Sequence, residues 1–520
     1  MSRILVLMMF VLWMAWNPEF GPYPLLPPGP ATLVFLGGYA LVVLGLAAWC
    51  RRARARFSSG NLARSIERYN RITFAARIFI PGWFFLSLMY LGWWHVVNML
   101  LLPISPHLIN SIVGVFIGTL PAFVAWAALW WAQYPAEMAL KEEGFLNQLD
   151  EGIPVYQPPN FGSYFRANLR LQLLFMIVPV SLIVLLHDLL RIGASVAVGN
   201  RWELRSAENP ITWIIAAGVV FLFAPEVLRR ILHTEPLPNS PLRRRLNLLC
   251  LRTGVKYRDI LLWKTQNNMG NAAVMGFVSR YRYILLSDLL LDTMTDEQIE
   301  AVFAHELGHI VHRHMAWLMV CVFVLTLFNI GGGAWATHWM SDIGLNTEAA
   351  QAVVIGTAYL FKFLLLFGFV SRRFERQADV FAARTMELTR EAVPDVSASE
   401  TLLAARSMAS TSTSQAATAL AVRPPALEYA SDYAPGHVGQ YGAAIFGSAL
   451  HRVAMVNNIP VRARSWCHGS IAKRMQYLHE LSKDPIRTKR FDRLMFCLYG
   501  AMVFALFAGA AFCCAQHAIP

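Results

Sequence analysis

The chain has 520 residues, 56% of them hydrophobic and only 15% charged, with 16 Trp and a mean hydropathy of +0.43. Soluble domains run near a quarter charged, so this composition excludes an ordinary soluble enzyme and describes a polytopic membrane protein with an embedded or appended catalytic region. The net charge of +13 is carried by arginines beside apolar spans, where it reports orientation and no nucleic acid, and seven scattered cysteines without CxxC spacing exclude a disulfide framework or a cysteine zinc site.

Ile4–Trp16 is a short apolar run behind Arg3, expected as a retained first span or re-entrant anchor because no small-x-small cleavage site follows. Ala31–Cys50 reads as a full span and ends in the arginine run Arg51–Arg56. Residues 51–77 carry eight arginines against one acid, Glu67, which places this stretch on the cytoplasmic side. Ile78–Leu102 and Ile112–Trp131 read as the next hairpin, residues 132–170 as a mixed-charge loop, and Leu171–Leu186 and Ile211–Ala224 as two shorter spans. Residues 1–224 are thus expected to form an N-terminal transmembrane region of about six spans, with Arg229, Arg230 and Arg243–Arg245 again on the cytoplasmic side.

From residue 225 the texture changes to that of a soluble domain, expected over 225–315. A proline-rich linker leads to an amphipathic helix ending near Arg252 with Gly254 as its cap. Strands are expected over Asp259–Trp263, Ala272–Val278 and Tyr281–Leu286. The run IEAVFAHELGHIVHRHM follows, opened by the capping pair Thr295 and Gln298 and striped by Ile299, Val302 and Phe303. Positions four apart share a helix face, so the imidazoles of His305 and His309 can converge on one ion, and Glu306 beside them suits a general base that touches water and not metal. His312 and His314 read as decoration of the helix end.

The helix then continues into a transmembrane hairpin, 316–370, made of Ala316–Ala336 and Ala349–Val370, with an intramembrane charge at Lys362. Its basic ends, VHRHM and SRRFERQ, meet on the cytoplasmic side. SRRFERQAD offers Glu375 and Asp379 one helical turn apart: Glu375 completes a two-His, one-Glu zinc site with an open fourth position, and Asp379 orients a ligand histidine. Within 371–490 a mobile insertion is expected at about 385–440, before HGSIAKRMQYL with His468 and Arg474. The last span, Leu494–Cys514, lies in 491–520 and brings the expected total to nine, N-terminus in and C-terminus out.

HELGH, the ExxxD pair Glu375 and Asp379, NAAVMG at Asn271–Gly276 and the His468 to Arg474 element together resemble the integral-membrane gluzincin family of type I CAAX prenyl endopeptidases and the heat-shock protease HtpX. Gly469 stands where that family usually has proline. The resemblance covers roughly residues 225–385 and 440–480. It implies a mainly α fold: a polytopic α-helical membrane protein with a small α+β zincin-like catalytic domain. It further implies one Zn2+ per chain, an edge strand at Asn271 and Ala272 that a peptide substrate joins, and His468 as a donor to the developing oxyanion. Arg474 either orders that region or pairs with an acid. The expected activity is a zinc metalloendopeptidase acting on membrane-associated proteins or peptides at the cytoplasmic face of the bilayer. Rival readings are a site-two-type protease, which takes its third ligand from an Asp-Gly element, a β-lactam-sensor protease, which needs a sensor domain after the last span, and a catalytically silent scaffold or transporter.

Overall fold

The computed structural model describes residues 9, 24–57, 62–104, 112–150, 156–198, 210–343, 348–391, 438–463, 466 and 468–517. The run Ile4–Trp16, apart from Met9, and most of the insertion expected near 385–440 lie outside the described residues. Two units divide the chain: Met1–Thr234 with Trp263–Asn268, and Glu235–Leu262 with Met269–Pro520.

The first unit is helical: α1 (Pro28–Phe57), α2 (Leu62–Leu86), α3 (Trp93–Leu101), α4 (Ile112–Asp150), α5 (Phe161–Asn168), α6 (Phe175–Val198) and α7 (Pro210–Ile231). Indoles pin these helices where small residues or bare carbonyls admit them. Trp83 donates to the Phe35 carbonyl at 2.9 Å, and its ring occupies the space a Cβ on Gly38 would need. Several boundaries differ from the expectation. α4 runs on to Asp150 and α5 begins at Phe161, so most of the stretch 132–170 read as a loop is helical. α2 begins at Leu62, inside the arginine-rich stretch read as loop, because Arg, Leu and Ala are strong helix formers and charge does not stop a helix. The apolar run Ile78–Leu102 is interrupted at Gly92, whose φ of 65° ends one helix and starts the next.

Among the described residues seven helices are long and apolar enough to cross a membrane: Pro28–Arg54, Arg64–Leu91, Ile112–Glu143, Phe161–Gly193, His314–Asp342, Val354–Thr389 and Pro485–Phe512. The protein is an integral multi-pass membrane protein. Ile211–Ala224, expected as a span, lies within α7 but is not one of the seven.

The second unit joins a small sheet to packed helices. Its strands are β1 (Thr234–Pro236), β2 (Asp259–Trp263), β3 (Ala272–Met275) and β4 (Tyr283–Ser287), in the order β1-β2-β4-β3, so β3 is an edge. β3 runs antiparallel to β4 with Ala272 opposite Leu286 and Met275 opposite Tyr283. It stops before the expected Val278 because Gly276 takes a φ of 99°, and a Cβ there would stand 2.3 Å from the Tyr281 carbonyl oxygen. β1 is too short, and too close to proline, to show in the sequence.

The helices of this unit are α8 (Pro241–Arg252), α9 (Asp288–Thr293), α10 (Asp296–Val311), α11 (His314–Asp342), α12 (Glu348–Glu391), α13 (Gln440–Val456), α14 (Ile471–Lys483) and α15 (Pro485–His517). α10 carries the expected capping box of Thr295 and Gln298, and its stripe of Ile299, Val302 and Phe303 is buried. It does not run straight into the next span. His312 ends it and Arg313, at φ 53°, turns the chain before α11 begins. α12 is one unbroken helix that carries both an apolar span and the Glu375–Asp379 pair. The Glu387 carboxylate on α12 accepts from the Gly442 N–H at 2.7 Å, satisfying an otherwise orphan donor in the first turn of α13.

Candidate active site

α10 and α12 cross with their HELGH and ExxxD segments in register, so side chains far apart in sequence converge. His305 Nε2 and His309 Nε2 are 3.2 Å apart, and the Glu375 carboxylate lies 3.7 Å from the first and 3.8 Å from the second. Tetrahedral zinc, with bonds of about 2.0–2.1 Å to N and O ligands, requires ligand atoms roughly 3.3–3.4 Å from one another. One ligand atom from each of the three lies within 4.8 Å of the others, somewhat wider than that spacing, and they form the one cluster of metal-ligand type among the described residues. Their chemistry, two imidazoles and one carboxylate, fits a zinc ion with an open fourth position.

The residues behind the ligands hold them there. Asp379 is 1% exposed, and its Oδ1 lies 3.1 Å from His305 Nδ1. Arg474 grips the same carboxylate with two prongs, Nη2 to Oδ1 at 2.5 Å and Nε to Oδ2 at 2.9 Å, and reaches within 3.9 Å of Glu375. Arg474 therefore pairs with an acid, the second of the two roles its sequence left open. His468 Nδ1 lies 2.8 Å from Glu375 Oε1, with the ring largely exposed. Gly469 after it has a φ of 75°, a conformation closed to proline, which accounts for the departure from the family pattern.

Burial disfavours a charged imidazole at His305, yet Asp379 outweighs it and raises its pKa. For His309, burial and the neighbouring His305 act together and depress it to about 3, leaving a neutral ring with a free lone pair. Burial, reinforced by Glu375 and opposed by His305, His468 and Arg474, pushes the Glu306 carboxyl up to about 7. Burial would lower the Arg474 pKa, but Asp379 reverses that and raises it, so the guanidinium stays charged.

Residues 236–481 match the model for peptidase family M48. Over this stretch the chain is similar to M48 peptidases. Over 162 residues the chain is 32% identical to a CAAX prenyl protease 1 homolog of Arabidopsis thaliana, covering 29% of this chain and 38% of that protein. Over 182 residues it is 29% identical to protease HtpX of Legionella pneumophila, covering 33% and 64%. The matched parts thus span less than two thirds of the relatives' own lengths. A crystal structure of S. mikatae Ste24p aligns over 88% of this chain and all of its own, with a TM-score of 0.46 and 14% identity.

Of the residues singled out in the sequence, the matched region brings together His305, Glu306, His309, Glu375, Asp379, His468 and Arg474. Asn271 and Ala272 lie at the edge strand, which packs on α10; the Asn271 amide already donates to Ser287 Oγ at 2.8 Å. Two features escaped the sequence reading. Trp466 donates to the Leu364 carbonyl at 3.1 Å and stacks on Phe367, tying the segment before His468 to α12. His314 is 1% exposed and hydrogen-bonded to His309, so it is not surface decoration. Lys362, flagged as an intramembrane charge, is exposed on α12.

Proposed function

We propose that this protein is a membrane-embedded zinc metalloendopeptidase that hydrolyses peptide bonds of membrane-associated proteins or peptides at the cytoplasmic face. The observation that carries the reading is the convergence of His305, His309 and Glu375 at ligand spacing, with Glu306 on the helix that supplies both histidines. Zinc bound there supplies a Lewis acid that polarises the scissile carbonyl and acidifies water. Glu306 takes the proton of the attacking water and returns it to the leaving amine. His468, exposed at the rim of the cluster, is placed to donate to the oxyanion once substrate displaces its contact with Glu375. The edge strand β3 holds an extended substrate by main-chain hydrogen bonds, with Asn271 and Ala272 at its entry, so binding depends little on side-chain identity.

The name of the CAAX prenyl protease relatives supports prenylated C-terminal CAAX peptides as the substrate class, with misfolded membrane proteins the alternative, and the long N-terminal set of spans favours the first. Incubating the purified protein with a prenylated CAAX peptide and, in parallel, with an unfolded membrane protein tests the choice. Cleavage of the prenylated peptide and not of its unprenylated form is the expected result. Cleavage of neither substrate by zinc-loaded protein, under conditions where it is folded, counts against the peptidase reading altogether.

A further inference from the structure

His309 presents Nε2 to the ligand cluster, and its other ring nitrogen points into the protein. That Nδ1 lies 2.9 Å from His314 Nδ1. His314 Nε2 lies 2.9 Å from Gln377 Oε1, and the Tyr499 hydroxyl donates to the same oxygen at 2.6 Å. Positions five apart do not share a face of a continuous helix. His314 reaches His309 only because Arg313 adopts a φ of 53° and folds the start of α11 back, a conformation unfavourable for a residue with a Cβ. The His314 ring is then clamped flat against Phe374, 4.5 Å between centroids with planes 3° apart.

We propose that His314 is a positioning residue for the metal ligand His309, held in turn by Gln377 and by Tyr499 of the C-terminal span α15. The argument is one of proton bookkeeping along the chain, and it rests on the reading of His309 as a zinc ligand. A ligand His309 has its lone pair at Nε2, so its proton sits on Nδ1 and is donated to His314 Nδ1. The His314 proton then sits on Nε2 and is donated to Gln377 Oε1, where Tyr499 donates as well. Each donor finds an acceptor in this arrangement, and the sense of the chain is fixed by the carbonyl oxygen of Gln377. Asp379 does the same for His305, so both imidazoles are oriented from behind, one by a carboxylate and one by a neutral chain. A neutral partner leaves the net charge of the ligand set unchanged.

The test uses the full-length protein in detergent, first stripped with a chelator, then titrated with zinc against a competing chelator. His314→Leu is expected to weaken zinc affinity about 10–100-fold, the usual effect of losing a partner behind a ligand histidine. His314→Asn, whose Oδ1 takes the place of Nδ1, is expected to recover most of the loss. Gln377→Met and Tyr499→Phe are expected at or below the lower end of that range. In the cobalt-loaded protein the visible bands should shift in His314→Leu and return in His314→Asn. Unchanged affinity in His314→Leu overturns the proposal, and so does an Asn variant as weak as Leu, which would reduce the role to packing. Should His314→Leu fail to fold, Gln377→Met decides on the same criteria. Wild-type protein that binds no zinc overturns both the ligand reading and this proposal. Protein that binds zinc and shows the variant series but cleaves no peptide overturns the peptidase reading alone.

Discussion

Gly308 and Ala378 set the distance between the two helices that carry His305, His309 and Glu375, the residues that could hold a metal ion. A Cβ built on Gly308 would stand 3.1 Å from Ala378 Cα and 3.2 Å from the Phe381 ring. The glycine of HELGH is therefore a contact residue: it lets α10 approach α12 closely enough for Glu375 to reach both imidazoles. Gly308→Ala should push against backbone, which cannot swing aside, and cost about 1–3 kcal/mol, the range for overpacking a filled interface. Thermal unfolding of the metal-free protein reads the stability loss, and zinc affinity, expected to fall with it, reads the displacement of Glu375.

Two glycines on α13 should respond with opposite signs. A Cβ on Gly442 would stand 1.9 Å from the Ala383 carbonyl oxygen, whereas one on Gly447 meets nothing within 4 Å. Gly442→Ala must separate α13 from α12 and should destabilise more than Gly308→Ala. Gly447→Ala removes only the entropic disadvantage of glycine in a helix and should stabilise by roughly 0.5–1 kcal/mol. Chemical denaturation of the two variants side by side checks the pair.

Arg474 neutralises a carboxylate that is almost wholly buried, and it does so through a two-pronged geometry. Arg474→Met should leave the buried Asp379 with His305 as its remaining partner and without its permanent cation, at a cost approaching the roughly 3–5 kcal/mol of other broken buried pairs. Arg474→Lys keeps the charge but not the fork and should recover only part of that loss. Equal stability of the Met and Lys variants in a denaturant titration would show that the guanidinium geometry contributes nothing.

The local chemistry of this site was legible because it is written in short spacing. The capping box, the apolar stripe and the i, i+4 histidines all fall within α10, and Glu375 and Asp379 fall within one turn of α12. The support for the ligands was legible only in part. Arg474 and Asp379 could be named, but their pairing joins two helices, and no period in the sequence encodes it. His314 was misread because its role depends on the left-handed turn at Arg313 and on Gln377 and Tyr499, each from a different helix. Strand β3 was expected too long because the φ of Gly276 is invisible until the turn that needs it is known. The helical start of α2 is hidden in the sequence because arginine marks a membrane boundary and also favours helix.

Glu306 separates a base from a ligand, since nothing requires its carboxylate to touch metal. Glu306→Gln keeps the size of the side chain, so His305, His309 and Glu375 should still hold zinc at near-normal stoichiometry. Peptide cleavage should fall by roughly two to four orders of magnitude, the usual loss on removing a general base, toward the upper part because the same group also delivers the proton to the amine. Glu375→Ala should instead lower zinc content and activity together. Zinc content and cleavage measured on one Glu306→Gln preparation decide the matter: normal zinc with undiminished cleavage would assign the base to another group.

Charge parity predicts that α7 crosses the membrane. The arginine run at the end of α1, and Arg229 and Arg230 in the last turn of α7 with Arg243–Arg245 beyond it, both favour the cytoplasmic side. Between them lie three helices counted as spans, Arg64–Leu91, Ile112–Glu143 and Phe161–Gly193. An odd number of crossings leaves the chain on the far side, so it returns to the cytoplasmic side only if α7 crosses as well. At about 1.5 Å per residue its 22 residues reach roughly 33 Å, enough for a hydrocarbon core of about 30 Å. The mean apolar character of α7 is interrupted by Glu226 near its C-terminal end, where Arg229 pairs with that acid at 2.8 Å and lowers the cost of placing it at the interface. Reporter fusions after Arg56 and after Arg252 should therefore report the same compartment. Opposite compartments would leave α7 lying along the membrane.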